Sequence, residues 1–184
     1  MNKEKLRQEY LEKRKTMGKD MKRALDLEIQ SRLLMTDEYM DCTDVLCYVS
    51  NENEIDTIGF INAAFANNKR VAVPVTNVDY SLSFYYINSL KELKKGRFGI
   101  LEPKEGAEKV SDFSSSLCVV PALCCDISGN RVGYGKGCYD RFLSSYDGVS
   151  ACLSYGDNVL TSIETEKTDV PVDLIVTNLF VKHT

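Results

Sequence analysis

The chain has 184 residues, 43% of them hydrophobic and 27% charged, and 23 Lys and Arg stand against 27 Asp and Glu for a formal net charge of −4. That is globular composition over residues 1–184 as a single domain, able to bury roughly 70% of the surface its unfolded form exposes without needing a metal or disulfide. The mild acidity argues against wrapping duplex nucleic acid, which depends on clustered Lys and Arg, but leaves room for a local basic patch around a small phosphate ligand.

The opening MNKEKLRQEYLEKRKTM is charged throughout, with no apolar run that could act as a signal region, and no later stretch approaches 18 uninterrupted apolar residues. A soluble, cytoplasmic protein with no membrane partner is expected. Residues 2–17 predict a first helix ended by Gly18, and residues 20–35 a second, with Met21, Leu25, Ile29 and Leu33 as one apolar stripe. On the first helix, Lys3, Arg7 and Arg14 project within roughly 40° of one another at about 100° per residue. Such a row is either a solvated face or an electrostatic lid over an anion.

Val45 to Val49 is a short β-rich run, followed by a helical pattern through Ile55, Ile58, Ile61 and Phe65. Val71 to Val75 and Leu82 to Ile87 are the next strands, and strand–helix–strand argues for an α/β layer. Leu117-Cys-Val-Val-Pro121 is apolar without alternation, as a central strand covered on both faces would be. It leads into a polar, glycine-bearing loop from Asp126 to Gly137 and a helix from about Cys138 to Ser145, and strands at 150–154 and 174–177 complete the chain. The expected fold is a three-layer α/β/α sandwich with a largely parallel sheet, two helices preceding the first strand. Its ligand site should lie beyond the carboxyl ends of the strands, where the glycine loop emerges.

Seven cysteines occur without a paired CxxC, so reduced, buried thiols fit better than a disulfide framework or a zinc site. The single histidine, His183, lies one residue from the C-terminus, which excludes Ser-His-Asp, Cys-His and paired-His zinc arrangements. The chemistry must therefore use carboxylates, Lys, Arg, Tyr or a bound ligand.

The informative stretch is Arg131-Val-Gly-Tyr-Gly-Lys-Gly-Cys-Tyr-Asp140. Glycines at 133, 135 and 137 permit positive φ and close backbone approach, so successive N–H groups can surround an anion, and Arg131 and Lys136 add full charges. A Walker A loop is excluded because Gly137 stands where Ser or Thr is needed, and a dinucleotide fingerprint because position 138 is Cys. Alternate glycines also suit an ordinary flexible turn; the flanking charges favour a polyphosphate cradle. Asp140 suits either the start of a helix or a Mg²⁺ beside phosphate oxygens, and Asp173 is expected to reach the same edge if the sheet is parallel.

From Pro121 to Arg141 the sequence resembles the signature of the 5-formyltetrahydrofolate cyclo-ligase family, in which a proline-ended strand and an Asp-x-x-Gly-x-Arg turn precede a glycine loop closing in Tyr-Tyr-Asp. Weaker similarities are Lys3, Leu6-Arg7 and Arg14 in the opening helix, Glu54-Ile-Asp-Thr57, Phe98-Gly-Ile-Leu-Glu-Pro103 and Val172-Asp173. The resemblance implies a three-layer α/β enzyme that uses ATP and Mg²⁺ to convert 5-formyltetrahydrofolate into 5,10-methenyltetrahydrofolate, ADP and phosphate. It implies that Lys3, Arg7, Arg14 and the loop of Arg131, Val132, Gly133, Tyr134, Gly135, Lys136, Gly137, Cys138 and Tyr139 contact the nucleotide. Val49, Glu54, Tyr134 and Cys138 would border the folate, and Asp140 and Asp173 would hold Mg²⁺. The family usually places two aromatics before the Asp; here Cys138 replaces the first, which bears on folate packing and leaves the phosphate charges intact.

Activation by phosphate also explains why no histidine is needed. The formyl group is an amide; phosphorylating its oxygen gives an iminium phosphate from which N10 attack displaces inorganic phosphate. The protein then has to position groups and neutralise charge, with Lys136 and Arg131 as the catalytic pair. A monomer is expected. Two other readings are a non-catalytic folate- or nucleotide-binding relative, and an ATP-independent isomerase or acyl-CoA transferase of similar architecture.

Overall fold

The computed structural model describes residues 2–96 and 99–184. Helix α1 (Lys3–Thr16) starts where the Asn2 side chain accepts the Glu4 N–H at 2.7 Å, a standard way to satisfy an orphan donor of the first turn. Helix α2 (Lys19–Leu34) buries Ile29 and Leu33 completely, but Met21 is 63% exposed. Its inner face runs through Asp26, Ile29, Gln30 and Leu33. The face is rotated from the expected apolar stripe because Asp26 and Gln30 turn inward to bond the chain at Asp56. A short helix α3 (Asp37–Asp41), capped by Thr36, then leads into the sheet.

The strands in chain order are β1 (Asp44–Cys47), β2 (Arg70–Thr76), β3 (Leu82–Ile87), β4 (Leu93–Lys95), β5 (Leu101–Pro103), β6 (Ser116–Pro121), β7 (Cys124–Asp126), β8 (Arg131–Val132), β9 (Val149–Leu153), β10 (Val159–Leu160), β11 (Leu174–Val176) and β12 (Val181–His183). Seven form the central sheet in the order β12-β11-β9-β6-β1-β2-β3. The inner five are parallel and the two edges antiparallel. Strands β7, β8 and β10 make a small second sheet, and β4 and β5 a hairpin.

Both faces of the central sheet are covered, as the unbroken apolar run of β6 anticipates. Leu117 and Val119 pack with α2, α3 and helix α4 (Ile58–Ala66) in one core, whereas Cys118 and Val120 face a second core on the other side. That second core contains Phe113, Phe142 and Tyr146; the Phe142 ring, on helix α5 (Cys138–Leu143), lies 4.8 Å from Phe84 and 5.3 Å from Phe113. Helix α1 adds a third, smaller core, placing Leu6 and Tyr10 against Leu123, Cys124, Val132 and Ile163 of the small-sheet region. All seven cysteines are free, and six are buried. Among the described residues no helix is long and apolar enough to cross a membrane.

The buried Asp126 carboxylate fixes the turn that feeds the glycine loop. It accepts the N–H groups of Ser128, Asn130 and Ile163 and the Asn130 side-chain amide. Gly129 sits at φ +83°, and a Cβ there would meet the Val172 carbonyl at 2.4 Å, so the turn tolerates only glycine. Strand β8 thereby leaves the turn with Arg131 aimed at one end of the sheet.

Candidate functional site

A cleft of about 970 Å³ opens at the carboxyl ends of the parallel strands. One wall is α1 with Lys3 and Arg7; a second is Tyr48, Val49 and the chain to Glu54, which follows β1. Pro74 and Thr76 close β2's end, Lys95 and Leu101 come from the β4–β5 hairpin, and residues 131–140 form the floor. Glu166, Thr168 and Asp169 complete the rim.

Within the floor, Gly135 at φ +90° and Gly137 at φ +62° occupy left-handed backbone, but Gly133 does not. A Cβ on Gly133 would meet nothing within 4 Å, so its bareness leaves room in the cleft instead of serving the turn. The Gly133 carbonyl accepts the Arg7 Nε–H at 3.0 Å, which docks α1 on the loop. At Gly135 an added Cβ would lie 3.0 Å from the Arg7 guanidinium carbon. Gly135→Ala is therefore expected to cost about 1–2 kcal/mol from backbone strain and to displace Arg7. Urea unfolding together with nucleotide affinity checks this; unchanged affinity would show that Arg7 is not part of the anion site.

The cations occupy different situations. Lys3 pairs with Asp169 and Arg7 with Glu4. Lys136 is exposed, its ammonium 5.4 Å from the centre of the Tyr80 ring. Arg131 is buried, donating to the Val170 carbonyl at 2.5 Å and to Asp140 Oδ1 at 3.0 Å. Asp140 Oδ1 also accepts the Val170 N–H at 3.3 Å. Both bonds fall on one oxygen of Asp140, leaving Oδ2 as a donor atom for a cation in the cleft.

Arg14 is not with Lys3 and Arg7. It is buried away from the cleft lining, donating to the carbonyls of Asn53 at 3.1 Å and of Ala122. A helical projection shows which side a residue takes but not how deep it sits, and Leu6 and Tyr10 carry that side of α1 inward.

Asp173 also departs from expectation. It precedes β11 and therefore lies at the amino end of the parallel strands, where it accepts the Ser150 N–H at 2.8 Å and hydroxyl at 2.7 Å. Asp140 lines the cleft at the carboxyl ends of the parallel strands, whereas Asp173 sits where β9 and β11 begin, at the opposite edge. Asp173 holds β11 to β9 and does not stand with Asp140 as a second carboxylate for one metal. Among the described residues no cluster of three or more acidic, His or Cys side chains forms a metal cage.

On the opposite wall, Glu54 is buried; its Oε2 accepts the Asn51 N–H at 2.9 Å. Burial pushes the carboxyl up from its ordinary value, with Asn51, Arg14 and Tyr134 pulling partly the other way. A raised folded pKa means that ionisation costs stability: the favourable state holds below the unfolded value of 4.5 and is lost as pH rises through the folded one. Glu54→Gln keeps an acceptor for Asn51, so it is expected to melt higher than the parent at about pH 7, the gap closing near pH 4. A lower melting temperature at neutral pH would contradict this.

Beside Glu54, Tyr134 is 42% exposed, yet its phenol is pushed up to about 12 by partial desolvation and by the neighbouring carboxylate, so it remains a donor. Burial also raises the Cys138 thiol, which lines the cleft protonated and is a poor nucleophile. The Tyr139 ring packs into the second core, but its hydroxyl is buried with no hydrogen-bond partner among the described residues. It is the kind of orphaned group a ligand satisfies. Phe98 lies outside the described residues, though Gly99, Ile100 and Leu101 beside it reach the cleft. Sequence reading missed Tyr80, Lys95 and Asp169; nothing in their local pattern marks them, since only the folding of the chain brings them to the cleft.

Fold and site together define a doubly covered α/β protein with a cationic, glycine-floored cleft at the carboxyl edge of its sheet. The chain belongs to the 5-formyltetrahydrofolate cyclo-ligase family, whose model matches residues 1–178, and is accordingly an enzyme of that group. It is 30% identical to the 5-formyltetrahydrofolate cyclo-ligase of Haemophilus influenzae, over 76% of this chain and 78% of that one. To the Escherichia coli cyclo-ligase it is 23% identical, over 90% and 94%. The solution structure of Aquifex aeolicus 5,10-methenyltetrahydrofolate synthetase superposes with a TM-score of 0.88 at 30% identity, covering all of this chain and 93% of that one. The Mycoplasma pneumoniae 5,10-methenyltetrahydrofolate synthetase shares the fold, with a TM-score of 0.78 at 20% identity over 97% and 99%.

Proposed function

We propose that this chain cyclises 5-formyltetrahydrofolate to 5,10-methenyltetrahydrofolate, consuming ATP in the presence of Mg²⁺ and releasing ADP and phosphate. One observation carries the reading: Lys3, Arg7, Arg131 and Lys136 converge with the glycine floor at one side of a cleft whose other side offers Val49, Glu54 and Tyr134. Charged and largely neutral walls in one cavity suit a polyphosphate and a pterin held together.

The donor set fits both groups. Lys3, Arg7 and Lys136 would bind the phosphates with the N–H groups of residues 133–137, and Asp140 Oδ2 would hold Mg²⁺. Bound there, Mg²⁺ neutralises charge on the phosphoryl group that moves. Arg131, fixed by Val170 and Asp140, keeps Asp140 in place and adds its charge from below. Lys136, free of ion pairs among the described residues, stabilises charge growing on the transferred group. Glu54 and Tyr134 orient the folate so that its formyl oxygen faces that group, and N10 can then attack the formyl carbon while phosphate departs. In the floor, Cys138 leaves more room for the substrate than the aromatic usual in the family.

Purified protein mixed with MgATP and 5-formyltetrahydrofolate is expected to develop the absorbance of the methenyl product, with one ADP per turnover. Binding of both ligands without product would instead mark a non-catalytic relative.

A further inference from the structure

The Asp26 carboxylate of α2, 3% exposed, is the least expected charged group in the interior. It touches neither the cleft nor the sheet. Its Oδ1 accepts the Tyr155 hydroxyl at 2.8 Å, and its Oδ2 accepts the Asp56 N–H at 3.1 Å and the Lys22 ammonium at 2.5 Å. Two of these partners, Asp56 and Tyr155, lead to the same wall of the cleft. Tyr155, which follows β9, places its ring 5.9 Å from the Arg14 guanidinium. Arg14 in turn donates to the Asn53 carbonyl, one residue before Glu54, and to the Ala122 carbonyl just after β6.

Asp56 closes the other end of the same segment. Its Oδ1 accepts the Ser50 hydroxyl at 3.2 Å, while Thr57 donates to the Tyr48 carbonyl at 2.7 Å and Gln30 of α2 donates to the Asp56 carbonyl at 2.7 Å. The stretch from Ser50 to Thr57 is thus a loop whose two ends are latched together and whose middle is held through Arg14. Asp26 links both supports, the loop's end directly and Arg14 by way of Tyr155.

We propose that Asp26 and Tyr155 are positioning residues for the folate side of the reaction: they hold Arg14 and the 50–57 loop so that Glu54 stands at a fixed place in the cleft. This rests on the reading of that wall as the folate-binding one. It reassigns Arg14 from a phosphate contact to a strut beneath the pterin side. The nucleotide side does not depend on the network, because Lys3, Arg7 and Lys136 are anchored through Asp169, Gly133 and the loop itself.

The test is steady-state kinetics of Tyr155→Phe, which keeps the buried ring and removes only the hydroxyl, beside Asp26→Asn, which keeps an acceptor and removes the charge. Both are to be measured with equilibrium binding of 5-formyltetrahydrofolate alone and of MgATP alone. The expected result is a roughly tenfold weaker folate KM and binding constant, the scale of one hydrogen bond to a charged group, with MgATP binding changed less than about twofold. The double variant should lose little beyond the worse single, since both changes act through one network. The proposal is overturned if folate binding is unchanged, if both ligands weaken in parallel with thermal stability, or if the two effects simply add. Wild-type protein that neither binds nor converts the folate would bring down the functional reading and this inference with it; a working wild type with unaffected variants brings down the inference alone.

Discussion

Lys136→Ala is expected to lower kcat by roughly 100- to 1,000-fold, the range for deleting one preorganised charge that meets the transition state, while leaving the fold intact. The two halves of that expectation have separate structural grounds. Lys136 is exposed and, among the described residues, its ammonium lies over the face of Tyr80 without a buried ion-pair partner, so its loss leaves no buried charge unpaired. It sits between the two left-handed glycines of the floor, and its side chain lines the cleft. Thermal melting by circular dichroism should be nearly superimposable on the parent, and single-turnover product formation should collapse. Full activity in a folded variant would remove Lys136 from the reaction.

Arg131→Ala should behave differently although it lies five residues away. Arg131 is buried, and its two assigned hydrogen bonds fix Val170 and Asp140. Removing one partner of a buried pair leaves the other uncompensated, a loss of about 3–5 kcal/mol, discounted to about 2–3 because Asp140 is partly exposed. For a chain of this size that corresponds to a fall in melting temperature of roughly 4–12 °C. Asp140→Asn separates the two roles of the pair: the amide oxygen can still accept from Arg131 and Val170, so stability should nearly hold. The Mg²⁺ concentration needed for half-maximal activity should rise at least tenfold, because a neutral oxygen binds the hard dication less well. Normal Mg²⁺ dependence in that variant would show that the metal is held elsewhere.

The parts legible in the sequence were those governed by local pattern. The apolar run at 117–121 announces a strand covered on both sides, and the structure puts its residues alternately into two cores. The glycine loop is equally plain, because left-handed backbone and close approach of Arg7 restrict Gly135 to the one residue without a Cβ. Strands β7, β8 and β10 were not visible, since two or three residues carry no periodicity and the stretch around them is polar. Asp173 lies at the far edge for a reason of direction: proximity to a strand says nothing about which end of the sheet a residue occupies until the strand's sense is fixed. Arg14 and the inner face of α2 failed for a related reason. A hydrophobic stripe assumes that apolar residues go inward, and Asp26 and Gln30 displace Met21 from that role because they bond backbone in the loop before α4.

The floor from Gly133 to Gly137 is expected to grip the nucleotide's phosphates. Amide resonances recorded during titration with Mg²⁺ and a non-hydrolysable ATP analogue test it at the atoms concerned. The largest, saturable shifts should fall on residues 133–137 and on Lys3 and Arg7, with Asp173 and Ser150 unmoved at the far edge of the sheet. Saturable binding that leaves residues 133–137 unshifted, with the changes clustered at another surface, would contradict it.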